Sequence, residues 1–228
     1  IFNSFCGETI MITLPKTALA AAMIAALAST PALAYEKGDF IARAGWAHVE
    51  PDDDESTNFD GVLKGTGTTV SVSNDDSLGL TFAYLVTDHI GVGVLAAYPF
   101  EHDIKGESGV LKSAGTVGET KHLPPTVTLQ WHFNPVGNLH PYIGAGVNYT
   151  YFWDEKGKGV LEGTNLDLDN SWGLAGEVGL DYTFANDFLL SAQVWYIDID
   201  TTAESSLGAE ADVDIDPWVF MVGLGKKF

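Results

Sequence analysis

Six histidines are the side chains in this 228-residue sequence best suited to hold a metal or move a proton. They are His48, His89, His102, His122, His132 and His140, scattered without the paired spacing that zinc sites use. His102 and His122 flank one long connection and could approach each other, but two ligands do not make a metal site, and none is assigned. Asp52-Asp53-Asp54-Glu55 and the alternating Asp212, Asp214 and Asp216 gather hard oxygen ligands without the spacing of a calcium-binding EF-hand loop, so solvated loop charge accounts for them. There is no G-x-S-x-G, and no Ser/His/acid arrangement emerges from spacing. No catalytic residue and no cofactor is assigned. Nucleic acid is excluded as a ligand: 31 acidic residues oppose 11 basic ones, for a net charge of −20, and the only arginine is Arg43.

The remaining chemistry depends on which way side chains point, and so on the elements that carry them. Residues 11–34 read as a secretory signal peptide: Lys16 precedes an apolar run from Ala18 to Ala28, and small residues lead to a cleavage site after Ala34. The run is too short for a membrane-spanning helix. Residues 1–10 lie upstream of Met11, where a leader would not begin, and are set aside as a matter of start-site choice. Residues 35–228 then form a single domain. The sole cysteine, Cys6, leaves with the leader, so the exported chain has no disulfide.

Period-two alternation recurs eight times in that domain, over residues 40–49, 78–86, 90–100, 123–133, 142–152, 172–184, 188–199 and 218–228. In 78–86, for example, Leu78, Leu80, Phe82, Tyr84 and Val86 alternate with Gly79, Thr81 and Ala83. Three short turns (87–89, 134–138 and 185–187) alternate with four long connections, which hold 24 of the 31 acidic residues. This is the layout of an all-β, eight-stranded antiparallel transmembrane β-barrel with short periplasmic turns and long acidic extracellular loops. A soluble ligand-binding barrel or sandwich would need the second face of each strand to be charged, and here it is mostly Gly, Ala, Thr, Ser and Gln. Aromatics near strand ends (Trp46, Tyr84, Tyr98, Trp131, Tyr182 and Trp218) suit interfacial girdles, so the large set is expected to face lipid. The expected location is the outer membrane of a Gram-negative bacterium. Outer-membrane lipid and lipopolysaccharide are then partners, with weak divalent bridging through the acidic loops as the alternative to plain solvation. The terminal Phe228 resembles the signal read by the barrel-insertion machinery.

Several blocks resemble the OmpW family of small outer-membrane proteins, which includes the alkane-uptake protein AlkL. They include Lys121-His122-Leu123-Pro124-Pro125-Thr126, Pro141-Tyr142-Ile143-Gly144-Ala145-Gly146, Val194-Trp195-Tyr196-Ile197-Asp198-Ile199-Asp200-Thr201-Thr202 and Asp216-Pro217-Trp218. The likeness covers essentially the whole domain. It implies a barrel that passes small hydrophobic solutes through the outer membrane and releases them sideways through a gap in its wall.

Three sets of residues could carry that function. Leu123, Pro124 and Pro125 form a candidate lateral opening, because prolines cannot donate to a ladder and a closed barrel has no edge on which to hide them. The other reading places the pair above the membrane, where water satisfies the backbone; the resemblance favours the opening. Leu95 and Trp195 are large among small inward positions, and the resemblance places them at a hydrophobic constriction of the lumen, with simple packing as the alternative. Arg43, Glu177 and Asp181 share the inward parity and are read as a polar plug, since buried charges pair. The rival function is a structural or receptor-type surface barrel without transport. Oligomeric state and the identity of the solute are not legible.

Overall fold

The computed structural model describes residues 34–52, 57–61, 63–185 and 187–228. The expected leader, apart from Ala34, lies outside the described residues, as do Asp53, Asp54 and Glu55 of the first acidic cluster. Within them the alternating segments are extended, because a pleated strand sends successive side chains to opposite faces. In chain order the strands are β1 (Phe40–Glu50), β2 (Thr57–Gly61), β3 (Val70–Val72), β4 (Asp75–Leu85), β5 (Ile90–Ala97), β6 (Phe100–Gly106), β7 (Thr116–Leu123) and β8 (Thr126–His132). They continue as β9 (Leu139–Gly157), β10 (Leu166–Leu168), β11 (Ser171–Ala185), β12 (Phe188–Ile197), β13 (Asp200–Ser205), β14 (Ala209–Asp214) and β15 (Trp218–Lys227).

Eight of these close a wall in the antiparallel order β1, β4, β5, β8, β9, β11, β12, β15 and back to β1. The closing seam runs from Ile41 opposite Lys227 to Glu50 opposite Trp218, and the chain ends extend it: Phe40 and Phe228 exchange backbone hydrogen bonds of 3.1 and 2.8 Å. The eight expected segments are these eight strands. The large set faces out; Leu174 is 69% exposed and Val178 62%. Trp46, Tyr98, Trp172, Tyr196 and Trp218 ring the wall toward the long connections, and Phe40, Tyr84, Trp131, Phe184 and Phe228 ring it toward the short turns.

Two expectations require correction. Segments 90–100 and 123–133 are not single wall strands: β5 stops at Ala97 and β8 begins at Thr126, with Pro99 and the Pro124-Pro125 pair in the interruptions. The long connections are not plain loops either. β3, β6, β7 and the upper part of β9 continue the wall outward, and β10, β13, β14 and β2 form a second, four-stranded sheet. Apolar residues such as Ile104, Val117, Leu168, Ala211 and Ile215 turn inward between these sheets, and burying them is what folds otherwise acidic connections. The outer face of the β6–β7–β9 extension instead carries ion pairs, Lys121 with Glu101 at 2.8 Å and Lys158 with Glu119 at 2.7 Å, as suits a wall in water.

Candidate functional site

The inward positions of the wall fall into tiers. Uppermost is an apolar cluster that includes Leu95, Phe100, Phe152, Trp195, Ile197 and Met221. Leu95 is 5% exposed and Trp195 1%, and both belong to this one cluster at the top of the lumen. Above it, between the two outer sheets, lies a cavity of about 180 Å³, lined by aliphatic residues of both sheets together with Phe152 and His122. That is about the size of an apolar cavity able to hold a benzene-sized molecule.

Below the cluster the lumen turns polar. Glu177 accepts hydrogen bonds from Thr128 Oγ1 at 2.5 Å, Gln130 Nε2 at 2.8 Å and Trp195 Nε1 at 3.0 Å. Trp195 therefore joins the apolar tier to the polar one: its ring lies in the cluster above while its N–H is committed to the carboxylate below. Gly144, on the neighbouring strand, leaves room for this carboxylate, since a Cβ there would lie 2.4 Å from Glu177 Oε1.

A separate ion pair closes the end nearer the short turns. Arg43 Nε and Nη2 donate to Asp181 at 3.0 and 2.5 Å, both side chains fully buried, and Tyr35 Oη adds a third donor at 2.8 Å. The Arg43 guanidinium also stands 5.2 Å over the Tyr142 ring, and Tyr35 stacks on His140 at 4.3 Å. The sequence grouping of Arg43, Glu177 and Asp181 as one plug is thus divided: Arg43 pairs with Asp181, whereas neutral donors hold Glu177 a tier away. Sequence reasoning missed Tyr35, His140 and Tyr142 as parts of the plug. Tyr35 lies ahead of the first strand, where alternation gives no parity to read. Tyr142 was visible as a large residue, with His140 and Phe152, at the inward parity of a strand whose middle inward positions are small.

The wall is broken beside the apolar tier. The β5–β8 ladder ends with Leu95 opposite Thr126, and the β6–β7 ladder resumes with Phe100 opposite His122. Between them residues 96–99 and 123–125 have no ladder pairing with each other. The other flank stays joined, because Tyr149 N donates to the Pro125 carbonyl at 3.1 Å and Leu123 pairs with Tyr151. Thr126 Oγ1 caps the Pro124 carbonyl at 3.0 Å, so side chains satisfy part of what the ladder leaves free. Leu123, Pro124 and Pro125 thus form one lip of the break, and Ala96 to Pro99 form the other. Pro99 is a third proline at this position, and alternation alone runs the strand straight through it. The lips lie between outward Val127 of the apolar band and the Lys121–Glu101 ion pair, at the level of Tyr98 and Tyr151.

The structure places the other singled-out groups as follows. His102 and His122 stack at 4.8 Å inside the outer extension, while His132 and His140 lie in the lower lumen. Of the second acidic run only Asp216 joins a cluster, with Asp198 and Asp200, whose carboxylate oxygens lie within 4.8 Å of one another. Asp216 is occupied by Tyr196 Oη at 3.2 Å and by the Ile199 amide at 3.0 Å.

A closed eight-stranded antiparallel wall with an apolar outer band, two aromatic rings and a filled lumen defines an outer-membrane β-barrel. Residues 36–228 match the model of the OmpW family, and the chain belongs to that family. It is 47% identical over 222 residues to outer membrane protein W of Vibrio cholerae, covering 93% of this chain and 99% of that one. The crystal structure of the outer membrane protein OprG from Pseudomonas aeruginosa superposes with a TM-score of 0.77 at 42% identity, covering 85% of this chain and 97% of that one. A more distant relative is the dibenzothiophene metabolism operon protein PahQ of Pseudomonas aeruginosa, 26% identical over 196 residues, 85% of this chain and 90% of the other. The chain is accordingly an outer-membrane protein.

Proposed function

We propose that this barrel is a passive channel for small hydrophobic molecules, which enter the outer apolar cavity, descend to the Leu95–Trp195 tier and leave sideways into the bilayer past Pro124 and Pro125. The observation that carries this reading is the adjacency of the cavity floor, at His122 and Phe152, to the break in the wall. An apolar solute gains nothing from the polar and charged tiers below, and the hydrocarbon of the membrane is its most favourable destination. PahQ, by its name associated with dibenzothiophene metabolism, is a relative with an apolar aromatic compound in its setting, which accords with this class of solute. No catalytic constellation enters the reading.

The second reading, a surface barrel without transport, is favoured by the buried Arg43–Asp181 pair that fills the lower lumen. One experiment separates the two. Replacing Pro99, Pro124 and Pro125 with Val, Thr and Val would let the ladder continue across both lips of the break, and uptake of a fluorescent naphthylamine probe by proteoliposomes should then fall towards the rate of protein-free vesicles. Undiminished uptake by a correctly inserted variant would overturn the lateral route, and a wild-type rate equal to that of empty vesicles would favour the surface barrel.

A further inference from the structure

The wall turns a single cation toward the lipid. On the outward faces of the wall strands, from one aromatic ring to the other, Lys226 is the only lysine or arginine among the described residues. Its neighbour Lys227 has the opposite parity and is paired with Asp39 at 3.4 Å and with Asp187 at 3.8 Å. Lys226 itself makes no ion pair among the described residues. Its ammonium instead stands 5.2 Å from the ring centres of both Phe188 and Phe228.

Phe188 faces Lys226 across the β12–β15 ladder, and Phe228 is the next outward residue along the chain. Both rings are exposed to the membrane. They favour a cation between them, but they offer no oxygen to accept from its three donors. Phe228 also belongs to the aromatic ring toward the short turns, which is the height of the periplasmic headgroups, where a lysine on the lipid face carries its charge. The surface beside it is low. On β1, Ala42 lies between Lys226 and Phe82, and Ala44 between Leu224 and Leu80, so a shallow furrow one acyl chain wide runs up the closing seam from the ammonium.

We infer that Lys226, flanked by Phe188 and Phe228, is a binding site for one anionic phospholipid of the periplasmic leaflet, whose phosphate accepts from the ammonium while a chain lies over Ala42 and Ala44. A choline headgroup brings a cation of its own, which Lys226 repels. A glycerol headgroup brings none, so the site selects for net negative charge.

The test uses the purified, folded barrel in a neutral detergent with equal amounts of phosphatidylglycerol and phosphatidylcholine of identical chains. Native mass spectrometry counts the lipid retained, and the amide signals of Phe188, Lys226 and Phe228 locate it. Phosphatidylglycerol should be retained roughly two- to fivefold over phosphatidylcholine, the worth of one lysine at a headgroup, and should move those three signals. Lys226→Gln should abolish the preference and Lys226→Arg should keep it. Lys37→Gln removes one exposed charge at the same end of the barrel and should also keep it. Equal retention of the two lipids by the wild type overturns the site without recourse to any variant. A preference that survives Lys226→Gln, or one that Lys37→Gln abolishes as fully, overturns it as well, since the general field of the barrel end would then be responsible. Displacement of the lipid by millimolar inorganic phosphate would reduce the site to one for a free anion and overturn the lipid assignment.

Discussion

Arg43 shows what a single buried charge requires of its neighbours. Its guanidinium is held by both oxygens of Asp181, and the Tyr35 hydroxyl takes up further acceptor capacity of the same carboxylate. Removing one member of such a pair strands the other in a poorly hydrated interior, which typically costs about 3–5 kcal/mol. Replacing both with apolar residues of similar volume is often close to neutral. Arg43→Met should therefore lose about 3–5 kcal/mol, while Arg43→Met combined with Asp181→Leu should lose much less. Reversible urea unfolding in lipid vesicles, followed by tryptophan fluorescence, measures both. A double variant as unstable as the sum of the two single ones would show that the residues do not act as a pair. The inward parity of both was readable from alternation. That they meet, and that Glu177 does not join them, depends on their depths in the lumen and was not readable, because strand tilt sets relative height and no sequence pattern encodes it.

At the scale of strands, the wall is shaped where side chains are missing. Gly223, Gly45 and Gly79 occupy one row across β15, β1 and β4 at the closing seam. A Cβ on Gly45 would lie 2.2 Å from the Val222 carbonyl oxygen, so the neighbouring backbone itself would have to move. Gly45→Val should destabilise the barrel by about 1–3 kcal/mol, the usual cost of overpacking. Gly176 belongs to the same wall, but a Cβ there would meet nothing within 4 Å, and Gly176→Ala should be close to neutral. Comparable unfolding midpoints for the two variants would refute the close-approach account. The prolines work at the same scale. Their inability to donate was plain in the sequence, but the break they create needs a facing strand that also stops, and Pro99 supplies it. Sequence alternation carried straight through Pro99, since side-chain parity persists across a residue whose backbone has left the ladder.

At the scale of the molecule, the seam that closes the wall is made by the two ends of the domain. Phe228 donates its amide to Phe40 and accepts one in return, while its ring is 66% exposed on the lipid side. The backbone thus closes the barrel, and the side chain is free to be read by an insertion machinery. Phe228→Ala retains the backbone hydrogen bonds, so refolding into lipid in vitro should change little. The folded fraction recovered from outer membranes, read by the mobility of unheated samples in detergent electrophoresis, should fall. An unchanged cellular yield would remove Phe228 as the recognised residue. The net charge of −20 is also a property of the whole: most acids lie in the long connections beyond the membrane, where water screens them.

The sequence by itself determined the number of wall strands, which residues face lipid, and which side of the membrane holds the long connections. Those properties follow from a two-residue period and from turn lengths, both local along the chain. Only the tertiary structure decided that the acidic connections fold into two sheets around a cavity, that the wall parts between 96–99 and 123–125, and that Lys226 stands between the rings of Phe188 and Phe228. Each of these depends on which strand lies opposite which, and at what height, and such pairings join residues far apart in a chain whose local pattern is the same on either side of the break.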